Sequence, residues 1–148
     1  MLIQYNFPHV FYPGSDKVLD AETLRAMIDL LVVSNLAYLR ACKRQAYVVP
    51  RLYSSGVRYD RTTWFEPIPA LYGRTYGDCK SLSGALIAEK LFWDGIETGP
   101  VFRFVEYDNG VKDYHILVEH SDGTFEDPSK VCGMPDHEIA KFEGPQAY

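Results

Sequence analysis

Residues 101–128 read VFRFVEYDNGVKDYHILVEHSDGTFEDP, and the alternation within them decides the fold class. Val101 to Tyr107 alternates at the period of a strand and closes on Asp108-Asn109-Gly110, a strong hairpin turn. Val111 to His120 is the partner strand. Ser121-Asp122-Gly123 then leads into a third strand, Thr124 to Asp127, which Pro128 ends. The stretch predicts an antiparallel meander.

Working back towards the N-terminus, the pattern becomes helical. A helix is predicted from Asp78 to about Trp93, with Leu82, Ala85, Leu86, Leu91 and Phe92 as its apolar face and Asp94-Gly95 as its stop. A longer helix is predicted from about Asp20 to Cys42. Asp20 is its expected N-cap, Glu22 lies in its first turn, and Leu24, Met27, Ile28, Leu31, Leu36 and Leu39 form a stripe. Between the two, Pro50, Pro67 and Pro69 forbid a continuous helix, so residues 46–76 are expected to be loops with short regular pieces. Residues 1–19, broken by Pro8 and Pro13-Gly14, read as an extended aromatic-rich arm in front of one domain at 20–148. Helices gathered on an antiparallel sheet make an α+β fold.

Composition narrows the function. The chain has 148 residues, 47% of them hydrophobic and 14% aromatic, which suits one packed domain and excludes bulk disorder. A net charge of -5 argues against nucleic acid, and Lys43, Arg44 and Arg51 are too scattered to form a basic face. The apolar run around Leu30 to Val33 is far short of a membrane span, and the first residues lack the pattern of a signal peptide. A cytoplasmic or particle-associated protein is expected. Cys42, Cys79 and Cys132 form neither a disulfide framework nor a zinc motif, and His9, His115, His120 and His137 are not spaced as metal ligands. No metal and no cofactor is expected, and a free thiol remains for nucleophilic chemistry.

Cys79 follows Gly77-Asp78 and opens the second helix, where the dipole and free N–H groups favour a thiolate and can hold an oxyanion. His115 lies on a strand that can pack on that helix and supply a base. Period-two parity puts Tyr114, Ile116 and Val118 on one face, with His115, Leu117 and Glu119 on the other; His120 falls on the face opposite His115. The orienting acid depends on hairpin register. A two-residue turn at Asp122-Gly123 puts Glu126 on the His115 face. A three-residue loop with Gly123 left-handed pairs Leu117 with Asp127 and makes Asp127 the diagonal neighbour of His115. Parity leaves both acids open.

Gly77-Asp78-Cys79-Lys80-Ser81-Leu82-Ser83 resembles the nucleophile motif of transglutaminase-like cysteine enzymes, which share a papain-like fold. Tyr114-His115 and Asp127-Pro128 resemble the histidine and aspartate motifs of the same superfamily, in the same chain order. Ser55-Gly56-Val57-Arg58-Tyr59, Tyr76-Gly77-Asp78-Cys79 and Asp122 to Ser129 are together similar to small transglutaminase-like proteins of tailed bacteriophages. The resemblance implies a papain/transglutaminase-like core, with Cys79 as nucleophile, His115 as base and acid, and Asp127, not the alternative Glu126, as orienter. It also implies a departure, because papain-type enzymes carry an oxyanion-stabilising glutamine where this chain has Gly73. Tyr76, Trp64 and Asp78 are the candidates to complete the oxyanion hole or line the groove.

The expected function is acyl transfer through a Cys79 thioester, by a protease or amidase acting on a peptide or isopeptide bond of a protein substrate. The competing expectation is a bacteriophage virion or assembly protein that keeps the enzyme fold as a scaffold and docks on other phage structural proteins through its N-terminal arm. Either protein would reside in the virion or the host cytoplasm.

Overall fold

The computed structural model describes residues 15–144 and 146–148. The expected arm therefore falls, through residue 14, outside the described residues. Helix α1 spans Lys17–Arg44 and starts earlier than its pattern suggests, with Asp16 as N-cap accepting from the Val18 N–H at 2.9 Å. Lys17 to Leu19 thus belong to the helix, not to an arm. Asp20 is no cap. It is fully buried, accepts from the Ser15 hydroxyl at 2.9 Å and pairs with Lys112 Nζ at 2.6 Å. A carboxylate with a buried cation to meet is drawn inward, which leaves the cap to the residue one turn earlier.

Leu24, Ile28, Leu31, Leu36 and Leu39 bury the inner stripe of α1 against α3, which spans Cys79–Glu89. Every residue of α3 is buried. The two helices approach closely because Gly84 has no side chain: a Cβ there would meet Leu31 Cδ2 at 2.6 Å. The last turn widens to a π-helix over Lys90–Asp94 before Gly95 ends it at φ 66°.

Both helices pack on a three-stranded antiparallel sheet of β3 (Thr98–Glu106), β4 (Lys112–His120) and β5 (Phe125–Glu126), in that spatial order. Phe102, Phe104, Ile116 and Val118 share the face that joins the α1/α3 core. The opposite face is also covered. There the C-terminal segment, with α5 (Asp136–Ile139), packs Met134, Ile139 and Phe142 against Val105. This is why His115 and Leu117 are buried although they lie on the face away from the α1/α3 core. The result is α+β in three layers.

The rest of the chain closes the edges. Tyr148 exchanges two 2.9 Å backbone hydrogen bonds with Phe102, so the C-terminus lines the free edge of β3. Prolines confine residues 46–76 to a 3₁₀ turn at Leu52–Ser54, β1 (Arg58–Tyr59), α2 (Ile68–Arg74) and β2 (Tyr76–Gly77). Pro69 sits in the first turn of α2, where its missing N–H costs nothing. Strands β1 and β2 form a short parallel pair beside the start of α3. Among the described residues no helix is long and apolar enough to cross a membrane.

Candidate active site

Asp78 caps α3, its Oδ1 accepting from the Lys80 N–H at 3.1 Å, which fixes Cys79 as the first helical residue. The cysteine meets β4 where β5 has ended. In an antiparallel strand alternate residues turn their backbone groups to the same neighbour, and His120 and Val118 turn theirs to the β5 side. Ile116, next in that series, has no strand beside it. Its carbonyl accepts from the Ser83 hydroxyl at 3.4 Å and its N–H favours the charged form of Cys79. The start of α3 therefore takes the place of a missing strand and holds the thiol at the sheet edge.

That position corrects one expectation. Cys79 is only 6% exposed, and burial first, then the charge of Asp78, push its thiol up to about 12. Lys80 and the Ile116 N–H pull the other way without overcoming them. Burial outweighs the helix start, and Cys79 rests as a neutral thiol.

His115 is 2% exposed, and its Nε2 lies 2.9 Å from Asp127 Oδ2. The acid is fixed from both sides. Its other oxygen accepts from the Lys130 N–H at 3.1 Å, capping α4 (Pro128–Val131), and Pro128 locks the first turn. The Phe142 ring lies against the imidazole with centroids 5.3 Å apart. A carboxylate at Nε2 places the proton there and leaves Nδ1 as the basic nitrogen.

The hairpin register decides which acid this is. Val118 pairs with Glu126 and Glu119 with Phe125, and Gly123 is left-handed at φ 82°. This is the three-residue loop. Glu126 consequently lies on the opposite face, 2.9 Å from His120 Nε2, with Tyr53 Oη at 2.7 Å and Lys90 Nζ at 3.0 Å. Burial alone raises the Glu126 carboxyl, but these three donors outweigh it and hold it below its ordinary value. Glu126 is no partner of His115.

Cys79 and His115 line one cavity of about 340 Å³, at the small end of the range for ligand pockets, roughly 300–1,000 Å³. Of the oxyanion and groove candidates, Asp78 lines it; Tyr76 and Trp64 do not. In the two-residue strand β2 the alternation buries Gly77 and turns Tyr76 out, under the Arg74 guanidinium. Trp64 contributes its carbonyl, which accepts from Ser81 at 3.3 Å, while its ring stays exposed. Gly73, where a glutamine is expected, faces open space.

The wall is completed by residues to which the sequence assigns no catalytic role. Tyr59 and Tyr114 contribute rings, and burial, with the nearby thiol, raises both phenols. Arg61 spans from its loop to Asp113 at 3.1 Å and Glu138 at 3.8 Å. Met134 and Phe142 come from the C-terminal segment, whose short, irregular helices leave no periodic signal. Lys80 also lines the wall, and the sequence shows it only as one residue of the motif at 77–83. Among the described residues no group of three or more His, Cys, Asp or Glu is placed to hold a metal ion. Comparison of the chain with protein-family models, with curated proteins and with solved structures finds no match.

Proposed function

We propose that this protein is a cysteine-dependent acyl-transfer enzyme of the transglutaminase-like, papain-fold type, which hydrolyses a peptide or isopeptide amide. The observation that carries the reading is the His115–Asp127 hydrogen bond of 2.9 Å, made by a histidine that shares a cavity with a cysteine at a helix start. With Asp127 on Nε2, His115 Nδ1 takes the Cys79 proton as Sγ attacks the substrate carbonyl, so a neutral resting thiol is activated at the moment of reaction. The first-turn N–H of Cys79 has no intrahelical acceptor and serves the oxyanion. Collapse breaks the C–N bond, His115 returns the proton to the leaving amine, and a thioester remains. Water then attacks the thioester, giving its proton to His115, and Cys79 leaves as the thiol.

A second reading has its own support. A thiol so buried that its pKa reaches about 12 suits a retired site on a phage virion or assembly scaffold. Acylation separates the two. The protein is mixed with an activated acyl donor, a p-nitrophenyl ester, and adducts are mapped by mass spectrometry. Acyl-Cys79 in the wild type, slowed about 10²–10⁴-fold in His115→Ala, is the expected result. No Cys79 adduct, or equal rates in the two proteins, hands the chain to the scaffold reading.

A further inference from the structure

The residue after the nucleophile is a lysine, and it is buried: Lys80 is 6% exposed and Asp78 5%. Lysine is almost never buried without a partner. Here Lys80 Nζ is hydrogen-bonded to Asp78 Oδ2 and, at 3.0 Å, to the carbonyl of Thr62. The rings of Phe65 and Tyr114 flank it with centroids at 5.7 and 6.0 Å. Thr62, Tyr114, Asp78 and Lys80 themselves line the cavity that holds Cys79.

A buried ion pair contributes little to stability, because desolvating two charges costs about what their attraction returns. Its placement has a clearer consequence for chemistry. When His115 takes the thiol proton, negative charge develops on Sγ beside the carboxylate of Asp78. Without a counter-charge, two buried anions would face each other. The other ionisable groups around the thiol are Asp113, Tyr114 and His115 of β4, Tyr59 of β1 and Arg61 of the following loop. Arg61 is already engaged by Asp113 and Glu138, so Lys80 is the cation placed to balance Asp78.

We propose that Lys80 is a positioning residue for the Cys79 reaction: its buried ammonium offsets part of the Asp78 charge beside the thiol and ties the Thr62 loop down as a wall of the cavity. The proposal rests on Cys79 being the reacting group, and it assigns a role to a side chain outside the triad. It also explains why Asp78 is tolerated next to a thiol that must ionise. The carboxylate caps α3, and Lys80 reduces the electrostatic penalty of that cap.

The test is the rate of Cys79 alkylation by iodoacetamide at about pH 9, where the rate follows the thiolate fraction. Intact wild type, Lys80→Arg, Lys80→Met and Asp78→Asn are compared by site-resolved mass spectrometry. Lys80→Met is expected to label about tenfold more slowly than wild type, Lys80→Arg within about threefold of it, and Asp78→Asn about tenfold faster, a tenfold change corresponding to one pKa unit. Labelling of Lys80→Met at or above the wild-type rate overturns the proposal, since a merely structural lysine would loosen the cavity and expose the thiol. Should Lys80→Met fail to fold, Asp78→Asn decides alone, and a rate equal to or below wild type overturns it. No substrate turnover is needed, so failure of the acyl-transfer reading, seen in the ester experiment with His115→Ala, is recognised separately.

Discussion

His115 and Asp127 are joined Nε2 to Oδ2 at 2.9 Å across a hairpin in which Gly123, at φ 82°, takes up the extra residue of a three-residue loop. Continuing the register from Val118↔Glu126 sets Asp127 opposite Leu117, and so diagonal to His115. The same ladder sets Glu126 against His120 on the other face, again at 2.9 Å. Two histidine–carboxylate pairs thus flank one strand. They differ in what else they meet: the first borders the Cys79 cavity, and the second is tied to Tyr53 and Lys90.

The Asp127 pair carries a kinetic prediction. Asp127→Asn keeps the size and the helix cap but no longer stabilises the imidazolium, so Cys79 acylation by the p-nitrophenyl ester should fall about 10²–10⁴-fold with little change in stability. Asp127→Ala should lose the same rate and also about 1 kcal/mol of stability from the missing cap of α4. Acylation of Asp127→Asn at the wild-type rate would remove Asp127 from the mechanism.

Glu126 should behave oppositely. Glu126→Gln is expected to acylate Cys79 at the wild-type rate while lowering the urea midpoint at neutral pH. The carboxyl is held below its ordinary 4.5 in the folded protein by Tyr53, Lys90 and His120 acting against burial. A depressed folded value means that its stabilisation is present above 4.5 and is lost as pH falls from there through the lower folded value. The gap between wild type and Glu126→Gln should therefore narrow on acidification to about pH 3. A gap that stays constant or widens would contradict the assignment.

How much of this was legible in the sequence follows from the range of each signal. Asp108-Asn109-Gly110 and Asp94-Gly95 are local, and the turn and helix end they mark are where the structure has them. The choice between Glu126 and Asp127 was not local, because parity cannot tell how many residues a loop containing Gly123 consumes. Asp20 read as a cap because its partner, Lys112, lies 92 residues away. The burial of Lys80 was not legible either, because the loop and rings that enclose it come from Thr62, Phe65 and Tyr114. Cys79 read as a thiolate site because the helix start is written in the sequence and the depth of burial is not. The papain-like core and the phage setting rest on motif resemblance alone.

The contact between α1 and α3 offers a test of the packing. A Cβ on Gly84 would stand 2.6 Å from Cδ2 and 2.9 Å from Cγ of Leu31. Both atoms belong to a buried side chain that cannot swing into solvent. Gly84→Ala should therefore destabilise the protein by about 1–3 kcal/mol as an overpacked core, despite the better helix propensity of alanine. In a Leu31→Ala background the same change should cost less or become favourable, a coupling that urea denaturation of the four proteins would measure. Equal costs in both backgrounds would mean that Leu31 is not the obstacle.

The ionisable groups around the cavity make the protein sensitive to alkali. Burial, then Asp78, raises the Cys79 thiol from its ordinary 9.0 to about 12. Burial likewise raises the phenols of Tyr59 and Tyr114 above 10.0. A folded value above the unfolded one means that the stabilisation is complete below the unfolded value and is lost as pH climbs towards the folded one. For the thiol the window opens near 9.0 and extends to about 12, and the phenols add to it from 10.0 upwards. The urea midpoint should therefore change little from about pH 7 to 9 and then fall steeply by about pH 10.5. Cys79→Ala should fall less steeply than wild type, because it has one buried proton fewer to lose. If the wild-type and Cys79→Ala curves fall together, the thiol is not held neutral by the fold. Cys79 would then ionise as an ordinary cysteine does, near 9.0, and the proton that His115 removes before attack would be less tightly held than burial implies.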